Sequence, residues 1–209
     1  MPVTATIALH PSHPAPRHLR RVVGILEEGG VIAYPSDSCY ALGCVPGAAA
    51  AVERIRKIRA LGSRHDFTLV CRNLSSLAEY AKVGNAHFRV LKAHTPGPYT
   101  FLLPASRSVP RRLLQPKRRT IGLRVPDSPV VGALLERLDG PLLSVSLVLP
   151  GEEHPPAHAA EVADALQGRV DAVLDAGPCG TGVTTVVDMT GSRPEVVRPG
   201  LGDCNAFGR

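Results

Sequence analysis

Apolar positions along the chain change period repeatedly, from every three or four residues to every two and back. Leu19, Val22, Val23 and Leu26 fall at helical spacing across residues 17–28, and Gly29-Gly30 supplies the stop. Residues 31–34 are a short β-favouring run closed by Pro35, which removes a backbone donor and fixes φ. Ser36, Asp37 and Ser38 follow at once, at the kind of strand end where α/β folds bind ligands, although such a segment also reads as a polar turn. The pattern next predicts a helix over residues 47–60, with Val52 and Ile55 inward and Gly62 ending it. A strand over 67–71 and a short helix capped by Asn73 come after it. A helix over 86–93 is halted by Thr95-Pro-Gly-Pro98, and strands are expected at 99–103 and 120–125. Ser128-Pro129 opens a helix over 130–138. The strand predicted over 142–149 is apolar except for Ser144 and Ser146, which a period of two puts on one face. A helix at 159–166, strands at 170–174 and 184–189, and an extended piece at 194–198 complete the series. This alternation predicts one α/β domain with a twisted, mixed sheet, its core spanning 17–203 and residues 1–16 forming an extension or edge strand.

Composition narrows the class. With 209 residues, no Trp, four Phe and four Tyr, the core must be aliphatic, and few rings are left for stacking on bases. No apolar run approaches the roughly 20 residues of a membrane span, and the first residues lack a signal-peptide pattern, so a cytoplasmic protein without a membrane partner is expected. The five cysteines include no Cys-x-x-Cys pair, which favours reduced thiols over disulfides or zinc. His10/His13 and His154/His158 are flanked by prolines without a third ligand nearby, so no protein-ligated metal is expected.

Charge is more telling than composition. The net +6 divides into +13 over residues 1–125 (19 Lys/Arg against 6 Asp/Glu) and −7 over 126–209 (5 against 12). Such asymmetry points to a basic face for a polyanion or a triphosphate, unless the fold interleaves the two halves and the field averages out. No Gly-x-x-x-x-Gly-Lys loop is present, and Gly177, Gly180 and Gly182 precede a strand, so side chains must hold any nucleotide. Lys57 and Arg59, with His65 nearby, suit a triphosphate or carboxylate; the same spacing fits a solvated basic helix end. Ser144 and Ser146 either serve neighbouring backbone or face a ligand. Residues 107–124 hold Arg107, Arg111, Arg112, Lys117, Arg118, Arg119 and Arg124 with no acid, which fits duplex or folded RNA, or a solvated loop.

Several motifs occur together and in order: Tyr-Pro-Ser-Asp-Ser-Cys-Tyr-Ala-Leu-Gly (34–43), Lys57-Ile-Arg59, Pro-Gly-Pro-Tyr-Thr (96–100), Leu-Arg-Val-Pro (123–126), Leu-Ser-Val-Ser (143–146), Thr-Thr-Val-Val-Asp (184–188) and Arg-Pro-Gly (198–200). The chain thereby resembles the YrdC family over about residues 17–203. The resemblance implies helices and a twisted sheet around a concave basic cavity. It also implies binding of ATP or AMP and synthesis of threonylcarbamoyl-AMP from L-threonine, bicarbonate and ATP, with Mg²⁺ accompanying the ATP, for modification of tRNA. By residue, it implies Lys57 and Arg59 as catalytic and phosphate-binding cations. Ser36, Ser38, His65, Thr184 and Thr185 would bind substrate, and Arg124, Ser144, Ser146 and Arg198 the nucleotide. Arg111, Arg112, Lys117, Arg118 and Arg119 are the candidate contacts to tRNA or double-stranded RNA. The chain departs from the family where Ser-Thr-Ser-Ala-Asn ends, since Val148 stands at the asparagine. Together with Thr95-Pro-Gly-Pro-Tyr-Thr and Lys117-Arg-Arg-Thr-Ile-Gly, that departure resembles the YciO branch and implies a weak synthase with RNA affinity; the alternative is a non-catalytic RNA-binding paralogue acting in translation or ribosome maturation. The sequence leaves the oligomeric state open.

Overall fold

In the computed structural model, which describes residues 4–62, 67–109 and 119–207, the alternating periods become a single mixed sheet flanked by helices. The strands among the described residues are β1 (Ala5–Ala8), β2 (Ile32–Pro35), β3 (Tyr40–Cys44), β4 (Thr68–Val70), β5 (Tyr99–Pro104), β6 (Thr120–Arg124), β7 (Leu142–Ser146), β8 (Ala172–Asp175), β9 (Thr185–Asp188) and β10 (Glu195–Arg198). The helices are α1 (Pro16–Glu27), α2 (Ala49–Arg59), α3 (Leu74–Tyr80), α4 (Asn85–His94), α5 (Pro129–Leu138) and α6 (Ala159–Ala165). Strand order is β1-β8-β2-β3-β7-β4-β6-β5-β9-β10, with parallel and antiparallel neighbours intermixed. Residues before α1 therefore supply an edge strand, paired in parallel with β8.

Local chemistry sets the boundaries. Pro16 starts α1, whose buried stripe is Leu19, Val22, Val23 and Leu26. Asn73 and Ser128 cap α3 and α5 by accepting the backbone N–H groups of Ser76 and Val131. The end of α2 differs from the expectation. Ala60, at φ 50°, takes the left-handed position, so the helix stops two residues before Gly62.

The two faces of the sheet are covered unequally, and this creates the site. On one face Leu42, Leu69, Phe101, Leu103, Leu123, Leu143 and Val187 form a core with Ile55 and Ile58 of α2, Leu77 of α3, Leu91 of α4 and Val162 of α6. On the other, α1 and α5 pack over Ile7, Ile32, Tyr34, Leu142 and Leu174. The same face continues onto β4, β6, β5 and β9, where Thr68, Gly122, Thr100, Leu102 and Val186 look into a concavity instead. Among the described residues no helix is long and apolar enough to cross a membrane.

Candidate functional site

The concavity is a cavity of 460 Å³, within the range of ordinary small-molecule sites. Period two on each strand builds it: Ser144 and Ser146 on β7, Thr68 and Val70 on β4, Gly122 and Arg124 on β6, Thr100 and Leu102 on β5. Register brings Ser144, Thr68, Gly122 and Leu102 into one row across four strands. Gly122 is the floor of that row. A Cβ there would stand 3.1 Å from Thr68 Oγ1 and 3.4 Å from Thr100 Cγ2, so the missing side chain is what keeps the floor low.

The turn after β2 forms one wall. Ser36 Oγ donates to the Cys39 carbonyl at 2.8 Å and accepts the N–H groups of Ser38 and Cys39. The Ser36 and Ser38 hydroxyls lie 3.1 Å apart. The loop carrying Cys179 clamps the turn from outside. Cys179 Sγ lies 3.3 Å from the Ser36 carbonyl, and a Cβ on Gly180 would fall 2.6 Å from the Ser38 carbonyl. Only glycine permits that approach.

Three arginines converge on the cavity from different elements: Arg59 at the end of α2, Arg124 on β6 and Arg198 on β10. Arg198 donates to the Thr184 carbonyl at 2.9 Å and to Thr184 Oγ1 at 3.3 Å, and Thr184 Oγ1 lies 2.9 Å from Thr100 Oγ1. Arg124 donates through Nη2 to Asp37 Oδ1 and through Nη1 to Ser38 Oγ at 3.3 Å. The Nε atoms of Arg59 and Arg124 are buried with no partner among the described residues. Burial pulls Arg59 and Arg198 below the ordinary guanidinium value, with Cys39 opposing the shift. Both stay protonated, since a guanidinium holds its proton far above neutrality. The arrangement offers charged donors, partly stripped of water, to an anionic ligand.

Of the residues singled out from the sequence, Ser36, Arg59, Arg124, Ser144, Ser146, Thr184 and Arg198 line the cavity, and Ser38 is buried behind the turn. Lys57 is exposed on α2 and belongs to a separate surface depression with Glu53 and Arg56. Positions two apart on a helix point about 200° apart, so Lys57 and Arg59 do not share a face. Thr185 is fully buried and gives its proton to the Gly202 carbonyl at 2.7 Å, fastening the segment after β10 rather than facing the cavity. Arg119 is exposed at φ 52°. His65, Arg111, Arg112, Lys117 and Arg118 lie outside the described residues. Val148 lines the cavity together with Ser146. Sequence reasoning missed Thr68, Thr100 and Gly122, and it singled out Asp37 without its pairing to Arg124. Counting back by two from Arg124 would have reached Gly122, and Thr100 closes the motif 96–100.

Among the described residues no three His, Cys, Asp or Glu side chains gather as a metal-ligand set.

Comparison with known proteins gives the same picture. YciO of Escherichia coli (strain K12) is 49% identical over 199 residues, spanning 95% of this chain and 97% of that protein. The crystal structure of E. coli YciO matches with a TM-score of 0.94 at 48% identity, over 98% of this chain and 99% of that one. A threonylcarbamoyl-AMP synthase of Halorhodospira halophila (strain DSM 244 / SL1) is 33% identical across 78% of this chain and 85% of its own. P. abyssi Sua5, crystallised in complex with L-threonine, matches with a TM-score of 0.85 at 26% identity, and this chain spans 58% of it. The Sua5_yciO_yrdC family model, described as telomere recombination, matches residues 24–200, and the chain belongs to that family.

Proposed function

We propose that the protein activates L-threonine as threonylcarbamoyl-AMP, using bicarbonate and ATP, and that it does so slowly. The observation that carries this reading is the convergence of Arg59, Arg124 and Arg198 on a cavity whose other polar side chains, among the described residues, are hydroxyls and the Cys39 thiol. Likeness to a threonylcarbamoyl-AMP synthase and to Sua5 bound to L-threonine supports the choice of substrates. The amine nitrogen forms a bond to the bicarbonate carbon as water leaves. An oxygen of the resulting carbamate then attacks the α-phosphorus of ATP, and the bond to pyrophosphate breaks. Both carbamate and triphosphate are anions, and guanidinium groups neutralise charge that builds on the phosphates during transfer. Ser36, Ser146 and Thr184 orient the reactants, and the rest of the rate comes from holding them together. With no ligand set among the described residues, Mg²⁺ would be held chiefly by the nucleotide's own phosphates, where it would neutralise their charge.

The slow rate is read from Val148. An apolar side chain in the cavity wall cannot hydrogen-bond a ligand, and a polar ligand group left unpaired against it costs about 1–3 kcal/mol. The same residue supports the second reading, a paralogue that binds tRNA or duplex RNA without efficient chemistry. Incubation with labelled threonine, bicarbonate and ATP tests the first: threonine-dependent pyrophosphate release is expected, and none would end it. RNA affinity that falls steeply with salt, with a shallower slope in Arg118→Ala/Arg119→Ala, is expected of the second; affinity unchanged by salt would rule it out.

A further inference from the structure

Arg124 differs from the other two cavity arginines in having a carboxylate of its own. Asp37 and Arg124 stand 87 residues apart in sequence, and both side chains are less than 10% exposed. The carboxylate is held from two sides, Oδ1 by Arg124 Nη2 and Oδ2 by the backbone N–H of Asp127 at 3.0 Å. The guanidinium is held from two sides as well, by Asp37 and, through Nη1, by Ser38 Oγ. A guanidinium is planar, so fixing both terminal nitrogens fixes the plane of the group and the direction of the N–H bonds that Asp37 and Ser38 leave free. The side chain lines the cavity, while Nε itself is buried with no partner among the described residues. Arg59 and Arg198 have no acidic partner among the described residues.

We propose that Asp37 is a positioning residue that cancels the charge of Arg124 and holds its guanidinium plane fixed in the cavity wall. Arg124 then acts as a directed hydrogen-bond donor, while Arg59 and Arg198 supply the net positive charge that attracts the phosphates. The inference rests on the proposed adenylate-forming function for its kinetic consequence and on geometry alone for the fixed guanidinium plane. A donor aimed in advance stabilises the transition state without reorganising, whereas charge attracts the bound anion and the transition state alike. Loss of Asp37 therefore separates the two. The repelling carboxylate disappears, so ATP still binds, but the donor loses its direction.

Four proteins decide it: wild type, Asp37→Asn, Arg124→Gln and the double variant, compared by initial rates and by calorimetric titration with ATP. Asp37→Asn is expected to lower kcat at least tenfold while the Kd for ATP stays within threefold. The double variant should turn over within twofold of Arg124→Gln, because Asp37 has nothing left to act through. Multiplying losses in the double variant, or an unchanged kcat in Asp37→Asn, would overturn the proposal. Arg124→Lys, which keeps the charge without the planar fork, should show the same split and guards against misfolding of Asp37→Asn; wild-type turnover by Arg124→Lys also overturns it. The arginine Nε–H resonance of Arg124, assigned by its absence in Arg124→Gln, reads the rigidity of the group directly without turnover. It should exchange slowly in wild type and broaden in Asp37→Asn or, if that variant does not fold, in Asp37→Glu. An inactive wild type showing that broadening would reject the adenylate-forming reading and keep the positioning role. An unchanged resonance would reject the positioning role whatever the activity.

Discussion

Tyr34 Oη lies 2.6 Å from Ser144 Oγ, and Ser144 gives its single proton to the Leu42 carbonyl at 3.1 Å, so the phenol is the donor between the two. Burial pushes the Tyr34 phenol up to about 12, which keeps it a neutral donor at any working pH. Ser144 thus serves the backbone, the first of the two roles weighed for it from sequence, and it also lines the cavity. It can accept from a ligand but has no proton to give.

Tyr34→Phe should therefore fold and lose about 0.5–1.5 kcal/mol, the net value of one buried hydrogen bond, seen as a lower urea midpoint with unchanged slope. It should also weaken ATP binding a few-fold, because Ser144 is no longer held from the side of β2. Unaltered stability together with unaltered ATP affinity would show that the bond orients nothing.

The opposed directions of Lys57 and Arg59 yield a second prediction. Arg59 lines the cavity with a buried, unpartnered Nε, whereas Lys57 is exposed. Arg59→Ala should raise the KM for ATP tenfold or more, and Lys57→Ala should change it less than threefold. Hydrogen bonds to a charged group are worth about 1.5–3 kcal/mol, roughly ten- to a hundredfold, while a solvated lysine contributes mainly a screened field. Equal losses from the two variants would mean that Lys57 reaches the phosphates in the bound state.

How far the sequence alone reached depends on how local the information is. Periods of two and of 3.6 located the helices and most strands but not β3 (Tyr40–Cys44), and the shared face of Ser144 and Ser146 was legible because a strand's alternation is a local property. Pairing across the sheet is not local. Nothing in the text of the chain says that Asp37 meets Arg124, or that Thr100 meets Thr184, because those contacts depend on the order of ten strands. Lys57 and Arg59 looked like a pair because spacing was read without rotation; 200° of helix separates them. Thr184 and Thr185 looked alike for the converse reason, and alternation sends one to the cavity and the other to Gly202.

Val148→Asn is the third prediction. The Val148 backbone N–H already donates to the Ser146 carbonyl at 3.1 Å, so the substitution changes only what the side chain offers the cavity. One hydrogen bond gained in the transition state at about 1.4 kcal/mol is a tenfold rise in rate. A rise of that size in kcat/KM would identify Val148 as the element limiting the chemistry. No change would send the search to other parts of the wall.

Alkaline pH supplies the last prediction, and it concerns stability rather than chemistry. Burial pushes the Cys44 and Cys71 thiols from 9.0 to about 12, and burial likewise raises Tyr34 from 10.0 to about 12. In the unfolded chain the thiols lose their protons near pH 9, whereas the folded chain keeps them until about pH 12. Between those values the folded state binds more protons, so unfolding becomes easier as pH rises. Below pH 9 both states carry the protons, and these groups contribute no pH dependence there. Stability should be flat from pH 7 to 8.5 as far as these groups determine it. It should then fall by up to about 1.4 kcal/mol per pH unit for each fully buried thiol, with Tyr34 adding to the slope above pH 10. Urea midpoints at pH 7.5, 9, 10 and 11 in the presence of reductant measure the fall. Cys71→Ala removes one titrating group and should make the decline shallower between pH 9.5 and 11, even though loss of the buried sulfur lowers stability at every pH. A decline equally steep in Cys71→Ala would mean that the alkaline transition is driven by other groups, with Tyr34 the first to test as Tyr34→Phe.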